Sequence, residues 1–136
     1  MAITDIPILS MLRTRMQWAQ ERQRVLSENV ANSDTPGFRP LDLVDLKFDS
    51  KGQDAAGAPT DVSLTRTDAG HLPGIGQSDA AFHSKNGGHY EVRPTGNSVN
   101  LEQEMIKVAA NQMDYQAVTA LYTRSLGLLK TALGKG

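Results

Sequence analysis

His71, His83 and His89 are the side chains of this 136-residue chain best suited to metal chemistry. With Asp68 or Glu91 they would offer the nitrogen and oxygen donors of a hydrolytic zinc site. Their spacing argues otherwise. No two stand at the i, i+4 step of a zinc-binding helix, and the chain has no cysteine to complete a donor set. Solvated loop histidines are the plainer reading. Glu102 and Glu104 are two apart, so on a helix they diverge and cannot work as an acid and base pair. Gly74-Ile75-Gly76 lacks the strand and helix that a nucleotide-binding glycine loop needs, and there is no GxSxG or phosphate-binding loop. Tyr115 and Tyr122 fall where packing explains them better than catalysis. The expectation is a chain that is not an enzyme, with no catalytic, cofactor-binding or metal residues and no cofactor.

What remains is helix. Leu101, Met105, Val108, Gln112, Tyr115, Thr119, Tyr122, Leu126, Leu129 and Leu133 are separated by alternating steps of four and three. That is a heptad seam, the mark of a helix that lies against other helices. Asn100 is placed to cap it, with Gln103 at the third position of a capping box. Glu102, Glu104 and Lys130 suit the helix dipole, and Gly134 and Gly136 supply a stop. Gln112 and Thr119 are polar on the seam; tolerated exposure and register control are equally good readings of them. A second seam runs through Leu9, Leu12, Met16, Ala19, Gln23, Leu26 and Val30. Asp5 and Pro7 would start that helix. Ile8, Met11, Trp18 and Val25 widen its apolar stripe, as a helix with more than one neighbour requires. Arg13, Arg15, Arg22 and Arg24 make either a solvated face or a basic edge for an acidic partner surface. The first helix must end before Pro36, because Asn32-Ser33-Asp34-Thr35-Pro36-Gly37 is a run of turn formers.

Between the helices the composition changes. Leu41 to Phe48 reads as a short extended or helical segment that packs back on a helix. Residues 49–100 hold eight of the twelve glycines and only seven Val, Leu, Ile or Phe residues, too few to offset the ordering entropy of a core. Strand alternation shows at Val62 to Arg66 and His89 to Arg93; Asn86-Gly87-Gly88 reads as turn. The organisation expected is a helix and turn over residues 1–38, an irregular middle over 39–100 and a long helix over 101–136, with both ends forming one unit. The fold class is mainly α, the terminal helices paired in a coiled-coil-like bundle. A net charge of −1 argues against a general nucleic-acid binder. No run is long enough to span a membrane. The N-terminus lacks a cleavable leader, so export would need another route. Two helices rarely bury enough to stand alone, so the apolar width predicts neighbouring copies in an open helical assembly.

The end of the first helix carries a longer pattern. Asn29, Ala31, Asn32, Thr35, Pro36, Gly37 and Phe38 match the form N-x-A-N-x-x-T-P-G-[FY]. This resembles the N-terminal signature of the bacterial flagellar rod and hook proteins. Val99 to Met105 and Ala110 to Gln116 are similar to the stretch that opens that family's C-terminal helix. Arg124-Ser125-Leu126-Gly127-Leu128-Leu129 and Leu64-Thr65-Arg66-Thr67 with His71 look most like its proximal rod branch. The resemblance covers residues 1–48 and 62–136 in outline and leaves out the glycine-rich loop at 49–61. It implies a structural subunit of the proximal rod, exported through the flagellar type III apparatus, lying in the periplasm and transmitting torque. Implied partners are copies of itself, other rod proteins such as FlgC, the adaptor FliE and the export gate. The rival reading of the same helices is a cytoplasmic adaptor or export chaperone that holds one partner on its heptad faces.

Overall fold

The computed structural model describes residues 6–48, 82–88 and 91–134. Two long helices, α1 (Pro7–Ala31) and α2 (Leu101–Ala132), run antiparallel and pack on each other, and two three-residue strands, β1 (Leu41–Leu43) and β2 (Ser84–Asn86), lie between them in sequence. The expected mainly helical fold is the one observed. At 1.5 Å per residue α2 is about 48 Å long. His71, Asp68, the strand at Val62 to Arg66 and the loop at 49–61 lie outside the described residues, as do His89 and Asp5.

The helix ends follow local chemistry. Pro7 opens α1 at its first turn, where its missing N–H costs nothing; Ile6 stands at the cap position without a side-chain cap. At the other end the Asn32 amide donates to the Glu28 carbonyl at 2.8 Å, and Gly37 takes φ +72°, which lets the chain turn away before Phe38. Asn100 caps α2, its Oδ1 accepting the Glu102 and Gln103 amides at 3.0 and 3.3 Å. Gly134 at φ +72° follows the last turn of α2.

The second neighbour that widens the α1 stripe is the chain's own β1 segment. Leu41 to Val44 is extended and lies on α1: Trp18, Ala19, Val25 and Leu43 form a buried cluster, with Leu46, Phe82 and Tyr115 against it. The Trp18 indole donates to the Val44 carbonyl at 2.9 Å. β1 pairs antiparallel with β2 in the register Leu41 to Asn86, Asp42 to Lys85 and Leu43 to Ser84. The second strand thus falls on Ser84 to Asn86, so that Asn86, read as part of a turn, is strand instead, while residues 91–93 are not strand. Alternation marked a candidate, but β1 is the partner that decides. Gly87 follows because a Cβ there would come within 3.1 Å of the Pro40 carbonyl oxygen.

Three of the four arginines of α1 find partners inside the chain, while Arg13 is exposed. Arg15 meets Asp114 at 2.9 Å, Arg24 pairs with Glu21 and Glu28, and Arg22 grips Asp42 through two bonds of 2.9 and 3.0 Å. Arg15 and Arg22 also flank the Trp18 ring at 4.6 and 5.2 Å. Burial by itself would raise the Asp42 carboxyl. The hydrogen bonds and charge of Arg22, helped by the Leu43 amide and Lys107, outweigh it and hold the group below its ordinary 3.8. The same contact raises Arg22 against the opposing effect of burial. A lowered folded value means the stabilisation is complete above the unfolded value and fades as pH falls through the folded one. Asp42→Asn is therefore expected to cost about 1.5–3 kcal/mol at pH 7 and to flatten the loss of stability below about pH 4. Urea titrations at pH 7 and pH 3 measure both; a variant with an unchanged acid limb would mean Asp42 is not the group responsible.

Candidate functional site

With no catalytic cluster among the described residues, the candidate surfaces are the faces of the two helices and the turn after α1. The seam α2 turns toward α1 differs from the one its apolar residues suggest. Val108, Tyr115, Tyr122 and Leu129 are partly covered. The positions that alternate with them are Glu104 and Asn111, both buried, then Val118 and Ser125. The other half of the expected seam, Leu101, Met105, Gln112, Thr119, Leu126 and Leu133, is exposed. The contact line is rotated by one residue, about 100° of helix, at every second position. Hydrogen bonding explains the shift. The Asn111 amide donates to the Ala19 carbonyl at 2.8 Å and to Gln23 Oε1 at 3.1 Å. Glu104 Oε2 accepts from the Asn29 amide at 2.9 Å and its Oε1 from Lys107 Nζ at 2.7 Å. Polar groups on α1 recruit polar groups on α2, and the leucines are left over. The register contacts considered for Gln112 and Thr119 fall on Asn111 and Glu104 instead. Thr119 still lies near Met16, its hydroxyl 3.7 Å from the sulfur.

On α1, the seam residues Leu9, Ala19 and Leu26 are buried, whereas Leu12, Met16 and Val30 are partly covered. Asn29 is 1% exposed and joins three elements. Its amide donates to the Leu41 carbonyl at 2.7 Å as well as to Glu104, and its Oδ1 accepts the Leu41 N–H at 3.0 Å. The side chain thereby completes the backbone pairing of Leu41 as a neighbouring strand would.

The rest of the turn motif is held from afar. Thr35 Oγ1 donates to Asn32 Oδ1 at 3.1 Å, and the Phe38 N–H to the Thr35 carbonyl at 3.3 Å. Gly37 donates to the Thr95 carbonyl at 3.0 Å and Ser98 to the Phe38 carbonyl at 3.1 Å. Ala31, Pro36 and Gly37 are exposed. Asn97, Glu104 and Asn111 were not singled out as site residues by sequence reasoning. For Glu104 and Asn111 the signal available was polarity at a heptad step, the two standing seven apart; Asn97 lies before the helix and carries no such signal.

α2 carries uncovered apolar side chains on both flanks of its contact line. One flank is the leftover half-seam, Leu101, Met105, Leu126 and Leu133. On the other, Ile106, Ala110, Met113, Ala117, Leu121 and Leu128 follow one another along the helix, all exposed. Ile106, Met113 and Leu128 are each more than 60% exposed. A helix apolar all round is one built to be surrounded. The groove between α1 and α2 is lined mainly by amide side chains, Gln20, Gln23, Asn111, Gln112 and Gln116, with Tyr115. Such a lining holds no ionisable carboxylate or imidazole. Among the described residues no cluster of metal-ligating side chains occurs, and His83 stands exposed before β2.

Comparison with known proteins bears on these two features. Residues 9–39, which span α1 and the turn, match the family model described as flagella basal body rod protein. The FlgB rod protein of Yersinia enterocolitica is 32% identical over 102 residues, covering 71% of each chain. That of Escherichia coli is 30% identical over 114 residues, covering 80% of each. The chain belongs to the FlgB family of flagellar basal body rod proteins. The likeness extends to Bacillus subtilis FlgB, 26% identical over 125 residues and 92% of each chain. FlgB proteins are structural rod subunits and not an enzyme family, which accords with helix faces rather than a pocket as the functional surface. No helix among the described residues is long and apolar enough to cross a membrane.

The turn tests this placement. Gly37 has open space around it but a left-handed φ, so replacing Pro36-Gly37 with Ala-Ala imposes roughly 1–2 kcal/mol of strain and lifts the bar to continued helix. The expected outcome, in cells whose only copy carries the change, is a smaller swarm in soft agar. Undiminished swarming would mean the turn has no positioning role.

Proposed function

We infer that this chain is a structural subunit of the proximal flagellar rod, assembling with itself and other rod proteins into the shaft that carries motor torque. The observation that supports this most is the pair of uncovered apolar flanks on α2. In a chain of the FlgB family they call for neighbouring helices in a continuing array, since heterologous contacts that do not close propagate. The assembly surfaces we assign are Leu101, Met105, Leu126 and Leu133 on one flank of α2 and Ile106, Met113, Leu121 and Leu128 on the other. Val108, Tyr115, Tyr122 and Leu129 serve the pairing with α1, together with Leu9, Leu12, Met16, Ala19, Leu26 and Val30. The turn Asn29, Ala31, Asn32, Thr35, Pro36, Gly37 and Phe38 sets where the chain leaves the helix pair. FlgC, the adaptor FliE and the export gate are the proposed neighbours, and export without a cleaved leader the proposed route. The cytoplasmic adaptor reading has no specific observation in its favour.

Mass spectrometry of detergent-purified basal bodies tests the reading. The chain is expected there with the other rod proteins. Its presence in the soluble cytosol alone, in a complex of fixed stoichiometry, would overturn the rod and restore the adaptor.

A further inference from the structure

We propose that Asn97 is a positioning residue that locks the turn after α1 to the start of α2, so that the exit direction of the chain at Phe38 is set by α2 as well as by α1. Asn97 is 1% exposed. Its amide donates to the Asn32 carbonyl at 2.9 Å and the Thr35 carbonyl at 2.7 Å, the first and last residues of the turn's own bend. Its Oδ1 accepts the Val99 N–H at 2.8 Å, one residue before the cap of α2. One side chain therefore spends both its donors on a segment more than sixty residues away in sequence, while its oxygen is held by the start of α2. The surroundings are shaped to let it. Residues Thr95 and Ser98 exchange backbone bonds with Gly37 and Phe38, and the Arg93 N–H bonds the Asn97 carbonyl at 2.8 Å. Gly96 turns at φ +81°, and a Cβ there would sit 3.3 Å from the Gly37 Cα. Two glycines in left-handed conformations thus allow a backbone approach that brings the Asn97 amide to its two carbonyls. Other residue types fit less well: aspartate has the shape but would face two acceptors with a third, and leucine would leave the two carbonyls only the local backbone bonds they accept from the Thr35 and Phe38 N–H groups.

The lock is independent of the assembly reading, because it is made within one chain. Hydrogen exchange on the full-length free chain tests it, comparing Asn97→Asp, Asn97→Ala and Gly96→Ala with the unsubstituted protein. The expected result is that all three variants lose roughly ten- to a hundredfold of amide protection at Gly37 and Ser98. The amides of Val25, Leu26 and Asn111, inside the helix pair, are expected to keep theirs. Unchanged protection at Gly37 in the variants would overturn the lock, and so would a loss shared equally by Leu26 and Asn111, which would make Asn97 an ordinary core residue. Absence of protection at Gly37 in the unsubstituted chain would overturn it as well.

Discussion

Asn29→Asp is expected to cost the free chain about 3–5 kcal/mol, a large part of the 5–15 kcal/mol that typically separates folded from unfolded domains. The change is one of atom type at constant shape. In the native site the Asn29 amide nitrogen lies 2.7 Å from the Leu41 carbonyl and 2.9 Å from Glu104 Oε2, both acceptors. An aspartate places a carboxylate oxygen there, so two hydrogen bonds become two repulsions, one of them between buried charges. Glu104 is 2% exposed, and its other oxygen holds Lys107, which cannot compensate on the Asn29 side. The measurement is urea unfolding followed by the fluorescence of Trp18, the sole tryptophan, which sits in the buried cluster with Ala19, Val25 and Leu43. The second variant makes the cause identifiable. Glu104→Gln added to Asn29→Asp restores a donor facing an acceptor and keeps Oε1 for Lys107. A coupling of about 1–3 kcal/mol is expected in the double-mutant cycle. A loss under 1 kcal/mol in Asn29→Asp, or no recovery in the pair, would show that the asparagine and glutamate do not hold the helices together.

That site also shows how much of the molecule was legible in the sequence. Both helices, the turn at Pro36-Gly37, the Asn100 cap and the packing of the segment after Leu41 onto a helix were readable, because each rests on local chemistry: spacing, a proline, a side chain that reaches its own backbone. The face of α2 was not. Its apolar residues lie on every side, so their alternation by three and four admits more than one seam, and the choice is made by α1. The buried Asn29 amide needs a polar partner, which Glu104 supplies, and Asn111 reaches across to the Ala19 carbonyl and Gln23. Likewise β2 at Ser84 to Asn86 has no apolar alternation to announce it; its register comes from β1. Asn97 is invisible for the same reason. Its partners Asn32 and Thr35 are near in space only once α1 and α2 have paired.

Met113→Asp and Leu126→Asp are expected to abolish motility while leaving the chain's own fold intact. Each stands on a different uncovered flank of α2. Met113 is 70% exposed, so it contributes little to the packing of α1 against α2, whereas Leu126, at 38%, is largely covered within the chain. A charge at Met113 costs the free chain little, within about 0.5 kcal/mol for an exposed site, and at Leu126 about 1 kcal/mol. In an assembly that buries the same position against an apolar neighbour, an unpaired carboxylate costs several kcal/mol, and the cost recurs at every subunit of the array. The prediction therefore has two halves that must hold together: free chains that still fold, with an unchanged urea midpoint for Met113→Asp and a modestly lowered one for Leu126→Asp, and cells that express the protein but lack it in purified basal bodies. If only Met113→Asp fails to assemble, the array uses that flank alone, and the leftover half-seam through Leu126 faces solvent. If both variants swim normally, α2 is not surrounded in the rod, and its all-round apolar character needs another explanation. The contrast with Asn29→Asp keeps the two functions of α2 separate. Its polar line holds the subunit together, and its apolar flanks join the subunit to the next.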